Sequence, residues 1–403
     1  MSGSRETGEP DAAGSAGGPG AARAPLIAAL CLVVSVAYGA LYYGFAVLIT
    51  EPAAGGDFSR GLLSAAYGGA VLTGGAAAIP VGRAADRFGV RWLIAGGALL
   101  GAAGLLGFAA AGAAWQVLAV WWLVLGPASA LTFYEPAYVA IQQGFAAADR
   151  ARAIGVLTLA AGLSGPVFTP ATGALVEALG WRDTTRVLAA AMACAAPAAA
   201  LLVRVRPVAR ERGPRGGGLG ALRERRVQVF TVGAVLAYGA VEALVVHRVA
   251  RFQELGFGLA TVTAWAAISG LVTLPGRFLL PVLARRTHAT VVFAGVLVVL
   301  AASAALMIGG DGYGQMALSF VVFGLVFGSA LPLRAVVMGE WTATAVFGTV
   351  MGAQAALIAL GRAAGPAAAG ALHDGLGGYT LAMALITATL VAAAVLVLVS
   401  GRR

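Results

Sequence analysis

The stretch GRAADRFGVR, residues 82–91, sets Arg83, Asp86, Arg87 and Arg91 between two long apolar runs. Charge is scarce elsewhere: 60% of the residues are hydrophobic and only 11% charged, with a mean hydropathy of +0.88. A soluble domain carries about a quarter charged residues, so this chain reads as a polytopic membrane protein whose side chains mostly meet lipid. The cluster then marks a short connection between two membrane-spanning helices.

A helix needs roughly 20 apolar residues to cross the hydrocarbon core. Such runs lie near 26–50, 61–82, 92–112, 115–142, 153–177 and 187–203, and again near 228–250, 261–284, 289–309, 313–338, 348–371 and 379–400. The expected fold is therefore all-α, with twelve transmembrane helices in two six-helix halves. The domain plan that follows is a tail over 1–24, a first bundle over 25–203, a linker over 204–227 and a second bundle over 228–403.

Arginine placement sets the expected orientation. With the N-terminus in the cytoplasm, the inner connections hold Arg87 and Arg91, Arg150 and Arg152, Arg285 and Arg286, and the terminal Arg402 and Arg403. The linker adds Arg204, Arg206, Arg210, Arg212, Arg215, Arg223, Arg225 and Arg226. The outer connections are mixed in sign, with Glu51, Asp57, Arg60, Arg182, Asp183, Asp311 and Asp374. That asymmetry follows the positive-inside rule and puts both termini in the cytoplasm. The net charge of +10 is explained by this placement, so no nucleic-acid partner is expected; the basic linker is expected along the anionic inner leaflet.

All 27 basic residues are arginine. Together with the abundant Ala and Gly this reads as codon bias in a GC-rich bacterial genome, which implies a bacterial cytoplasmic membrane. Residues 1–24 lack the apolar stretch of a signal peptide and read as a disordered tail. Cys31 and Cys194 fall inside apolar runs without a CxxC, so they read as packing residues. No metal or cofactor is expected. With no HExxH, GxSxG or ATP-binding loop, an enzyme is disfavoured. The expected partners are the lipid bilayer, a small-molecule substrate and protons, and the chain is expected to work as a monomer.

The two halves echo one another. GLSGPVFTPATGALVEALGW (162–181) ends the fifth span and GRAAGPAAAGALHDGLGGY (361–379) ends the eleventh; both carry Gly-Pro, Gly-Ala-Leu, then Leu-Gly and an aromatic residue. Internal repeats of this kind mark transporters with a site at the midplane between halves.

With that architecture in view, GRAADRFGVR resembles the G-x-x-x-D-R-x-G-x-R signature between the second and third spans of the major facilitator superfamily, with Gly82, Asp86, Arg87, Gly89 and Arg91 at the matching places. A weaker copy, PVLARRTHA, lies at 281–289. The resemblance implies a gating network: Asp86, capping free N–H groups at a helix start and pairing with arginines, would steady the outward-facing state together with Arg87 and Arg91. It also implies that spans one, four, seven and ten line a central cavity, with two, five, eight and eleven beside them.

Ionisable groups at membrane depth cost at least ~2.5 kcal/mol on insertion scales. Those present are Glu135 in span four, Glu242 in span seven, Arg277 in span eight, Arg334 in span ten and Arg362 in span eleven, with His247 and Arg248 toward the outer end of span seven. Two arginines facing each other would repel, and an anion between Arg277 and Arg362 would relieve that. Residues 247–286 resemble the corresponding region of monocarboxylate porters and oxalate:formate antiporters, with His247 before a Gly-Phe and Arg277 deep in span eight; Arg362 stands where the oxalate:formate antiporters carry a second cation. The first span, however, lacks the acidic-Gly-Trp signature of the animal monocarboxylate porters.

Several roles stay open at this point. Arg277 is either an anion contact or a structural residue bonded to Glu242 or a carbonyl, and Arg362 is either a ligand or a packing residue. Arg334 and Glu135 are expected to pair as a gate, and Glu242 to carry a proton. His247 is a substrate contact or a hydrogen-bonded surface residue. Tyr38, Tyr42, Tyr43 and Tyr134 are candidates to offer hydroxyls to the cavity. The function expected is secondary transport of a small organic anion coupled to H⁺ or exchange, the alternative being H⁺-driven export of drug-like or natural-product molecules.

Overall fold

The computed structural model describes residues 23–48, 57–207, 218–309 and 312–402. The tail over 1–22, Arg210, Arg212 and Arg215 of the linker, Glu51, Asp311 and Arg403 lie outside the described residues. Every regular element among those described is helical.

Ten helical runs are long and apolar enough to cross a membrane. In chain order the first half gives α1 (Arg23–Leu48), α2 (Arg60–Phe88), α3 (Arg91–Ala110) and α4 (Ala114–Gly144). The run Ala147–Leu202 turns at Gly180, whose φ of 76° is not helical, and so supplies both α5 (147–179) and α6 (181–202). The second half gives α7 (Arg225–Glu254), α8 (Leu259–Ala284), α9 (Ala289–Ala305), α10 (Tyr313–Trp341), α11 (Phe347–Leu376) and α12 (Thr380–Gly401). At 17 residues α9 is the shortest of these. All twelve expected spans are thereby accounted for.

The internal repeat reads directly in the backbone. Gly180 (φ 76°) and Gly377 (φ 72°) take the left-handed region at matching places, where the Leu-Gly of each repeat ends α5 and α11. Only glycine enters that region without a Cβ penalty.

The charged cluster is placed differently from the expectation of a loop. Gly82, Asp86 and Arg87 lie in the last two turns of α2, and the connection to α3 is only Gly89 and Val90. Gly89 (φ 81°) ends α2.

Large apolar side chains stay exposed on α3 (Leu99, Leu106), α9 (Val291, Val298) and α12 (Leu385, Val395), as helix faces toward lipid require. The two bundles meet through α2 against α11 and α5 against α8. Small residues let these backbones touch: a Cβ on Gly82 would overlap the Gly348 carbonyl, one on Gly352 the Ala78 carbonyl, and one on Gly155 would stand 3.1 Å from Phe278. These contacts run from mid-molecule to the end that carries Asp86.

Candidate functional site

A cavity of about 240 Å³ lies between the bundles, with walls from α1, α2, α4, α5, α7, α8, α10 and α11. On α7 the lining residues Tyr238, Val241, Glu242 and Val245 follow helical spacing and form one face. On α1, a wide π-helical turn over Gly39–Tyr43 brings both Tyr42 and Tyr43 onto the lining beside Tyr38. Such turns often mark functional positions. The helices α4 and α10 are each interrupted in mid-course, at Phe133 and at Gly328–Ser329. Glu135 follows the first break and Arg334 the second, at equivalent places in the two halves.

Three guanidiniums and two carboxylates line the space. Arg334 Nη2 donates to Glu135 Oε1 at 2.9 Å, and Arg362 Nε to Glu242 Oε2 at 2.8 Å. The Glu135–Arg334 pair expected from the sequence is thus formed, and it bridges the two bundles. Arg334 is 1% exposed, and its Nε and Nη1 have no hydrogen-bond partner. Breaking such a buried pair strands a charge in low dielectric, which makes it a two-position element, either made or lost with its helices.

The second pair corrects the expectation that Arg277 and Arg362 face each other as unpaired cations. Glu242 neutralises Arg362 instead, and the reading of Arg277 as bonded to Glu242 is set aside for the same reason. Arg277 has no carboxylate partner among the described residues. Its Nη1 donates to the Tyr134 hydroxyl at 3.3 Å and to the Thr158 carbonyl at 3.5 Å, and its buried Nε has no partner. Thr158 Oγ1 in turn donates to the Arg277 carbonyl at 3.2 Å. Gly162 and Gly328 make room for the side chain, since a Cβ on either would press on it. Arg277 of the second bundle therefore reaches α4 and α5 of the first.

Asp86 does cap a helix, but the helix is α11, across the interface. Its Oδ1 accepts from Gly348 N at 2.8 Å, and its Oδ2 from Thr349 N at 2.7 Å and Thr349 Oγ1 at 2.6 Å. These amides are among the unpaired donors of a helix start, where the dipole also favours a carboxylate. Arg91 Nε donates to the Ala200 carbonyl near the end of α6, with its guanidinium over Trp92. Arg87 is exposed beside Phe88.

His247 lies off the cavity lining. Its Nε2 is 2.9 Å from the Pro366 carbonyl, which can only accept, so Nε2 carries the proton and Nδ1 accepts from Tyr379 Oη at 3.0 Å. Burial and the carboxylates of Glu254 and Asp374 push the Tyr379 phenol up, which keeps that donor protonated. Arg248 is also off the lining, stacked on Phe320 and Phe323 at 5.0 and 4.6 Å.

Tyr38, Tyr42, Tyr43 and Tyr134 all line the cavity, as do Tyr67 and Tyr238. Tyr67 and Thr158 carry no sequence signal beyond lying on spans two and five. Helical spacing from Glu242 would have pointed to Tyr238, one turn earlier on the same face.

Two bundles of long apolar helices around a charged cavity define a membrane transporter of the twelve-helix kind. Residues 30–333 match the sequence model of the Major Facilitator Superfamily, and the chain belongs to that family, whose members are transporters and not enzymes. No curated protein sequence matches it. Similar folds include the human organic anion transporter MFSD10 (TETRAN), at 16% identity and a TM-score of 0.70 over 93% of this chain and 99% of that one. The E. coli fucose:proton symporter FucP, in a single-substitution form, gives 13% and 0.70 over 94% and 98%. FucP in the outward conformation gives 12% and 0.72 over 94% and 99%.

Proposed function

We propose that the protein is a secondary active transporter of a small organic anion, working by alternating access. The observation that carries this reading is Arg277: a guanidinium on the cavity wall with no carboxylate partner among the described residues. Counting the lining side chains, three cations against two anions leave a formal charge of +1, which one carboxylate balances. A monoanion suits this better than a dicarboxylate, because Glu242 already satisfies Arg362. The likeness of residues 247–286 to monocarboxylate porters points the same way. The cavity also falls below the ~300–1,000 Å³ of drug-sized sites, against the drug-export alternative.

Taking the Asp86 end as cytoplasmic from its arginines, this reading makes the contacts of Asp86 with α11, Arg334 with Glu135 and Arg277 with Tyr134 the inner gate. Glu242 supplies the coupling. A proton on its carboxylate releases Arg362 and raises the lining charge from +1 to +2, so proton and anion favour each other's binding. That linkage is reciprocal and selects symport over antiport.

The test is uptake of radiolabelled benzoate and acetate into proteoliposomes under an inward proton gradient. Saturable accumulation of either acid, collapsed by a protonophore and absent in Arg277→Gln, is expected. Transport that prefers an amphipathic cation, with Arg277→Gln as active as wild type, would overturn the reading.

A further inference from the structure

The part of the cavity lining that comes from the first two helices is uniform in chemistry. Tyr38, Tyr42, Tyr43 and Tyr67 line it from α1 and α2. Their rings form one connected surface: Tyr42 lies edge-on to Tyr43 at 4.9 Å and to Tyr38 at 6.2 Å, and touches Tyr67 at 6.2 Å. Two of these rings are themselves packed on aromatic neighbours, Tyr38 stacked on Phe133 at 4.1 Å and Tyr67 on Phe45 at 5.2 Å. No hydroxyl of these four tyrosines meets a protein partner among the described residues, so all remain available to a ligand.

Plain core packing does not explain this wall. A core aromatic is enclosed by other side chains, whereas these four rings line a cavity. Nor is a cation cage the reading. Tyrosine faces do attract ammonium groups, but a lining with a formal charge of +1 repels them.

Resting on the anion reading above, we propose that the cargo is an aromatic monocarboxylate. Its carboxylate meets Arg277, and its ring lies on the surface made by Tyr38, Tyr42 and Tyr67. The lining also holds the aliphatic side chains Val241, Val245, Leu331 and Ile358, which give a flat ring apolar contact beyond the tyrosines. Rigid, braced rings lose little side-chain freedom on binding, which lets stacking contribute to affinity. Ring hydroxyls on the cargo would find the tyrosine hydroxyls, so hydroxylated aryl acids fall within the same class.

Four probes separate the claims when titrated calorimetrically into the full chain in nanodiscs: benzoate, cyclohexanecarboxylate, acetate and benzyl alcohol. Benzoate is expected to bind about tenfold tighter than cyclohexanecarboxylate, the scale of one favourable aromatic contact, with acetate weaker still and benzyl alcohol silent. Tyr42→Leu should remove the preference for benzoate over cyclohexanecarboxylate, and Tyr42→Phe should keep it. If the three acids bind alike and all are lost in Arg277→Gln, the aromatic assignment fails while the anion reading stands. If benzyl alcohol binds as well as benzoate, or benzoate binding survives Arg277→Gln, the anion reading fails and this proposal with it. Binding of none of the four overturns both.

Discussion

Asp86 and Thr349 are joined twice across the bundle interface, the carboxylate accepting from the Thr349 amide at 2.7 Å and from its hydroxyl at 2.6 Å. An acid at the end of one helix thus closes the start of a helix from the other half. The motif's acid works as a detachable N-cap: rocking the bundles apart exposes the α11 amides and returns the carboxylate to water.

Asp86→Asn keeps an acceptor but loses the charge that the α11 dipole favours, a loss of about 0.5–1 kcal/mol at a helix N-terminus. The fold should survive and the closed end should open more often. Nitroxide labels at exposed Ala148 and Thr287, with Cys31 and Cys194 changed to serine, give the readout by double electron–electron resonance. A longer-distance population is expected in the variant. Identical distance distributions in variant and parent would remove Asp86 from the gate.

Gly352→Val tests the same closure by packing alone. A Cβ at position 352 overlaps the Ala78 carbonyl, and backbone atoms cannot yield as a flexible side chain does. Overpacking of this kind costs about 1–3 kcal/mol, all of it in the state where α2 and α11 touch. The variant should be displaced from the closed-end form on the same label pair, without loss of helical circular dichroism. An unchanged distance would mean that the bundles part without separating these two helices.

The span count, the two halves and the repeat were legible in the sequence, because a lipid environment writes itself as long apolar runs and Gly-Pro punctuation. The Glu135–Arg334 pair was legible too, since equivalent positions in a repeat face each other. What stayed hidden was which acid meets which base. Arg277 and Arg362 lie equally deep, and only the rotation of α8 and α11 decides that Glu242 meets Arg362 and that Arg277 crosses to Tyr134. Tyr67 was hidden for a related reason: on a glycine-rich helix, one tyrosine has no periodic partners to show which face it lies on.

Glu242→Gln imitates the protonated carboxyl and leaves Arg362 without its counter-charge. Anion binding should become tighter and lose the proton linkage proposed for Glu242. Accumulation driven by a proton gradient should stop while exchange persists. Benzoate titrations at several pH values, paired with counterflow assays, give both readouts. Gradient-driven accumulation that persists in Glu242→Gln would place the proton elsewhere.

Arg277 carries the sharpest test, because it belongs to both the cavity and the closure. Its guanidinium donates to Tyr134 and Thr158, and an arriving carboxylate must compete for those donors. Binding energy is thereby coupled to release of the α8 contact with α4 and α5, the differential interaction that a ligand-driven population shift requires. Arg277→Lys keeps the charge but loses the planar fork, so benzoate affinity should fall by roughly tenfold. Arg277→Ala should cost more, on the order of 2–5 kcal/mol for a truncated buried charge pair, and abolish stabilisation by ligand in a thermal-shift assay. Tyr134→Phe separates the two roles: it frees one Arg277 donor, so benzoate should bind a few-fold tighter and the unliganded Ala148–Thr287 distance should lengthen. A purely structural Arg277 gives the opposite pattern, with Arg277→Ala poorly folded before ligand is added and Tyr134→Phe without effect on affinity. If Arg277→Ala folds well and takes up benzoate at the parental rate, Arg277 is neither receptor nor clamp.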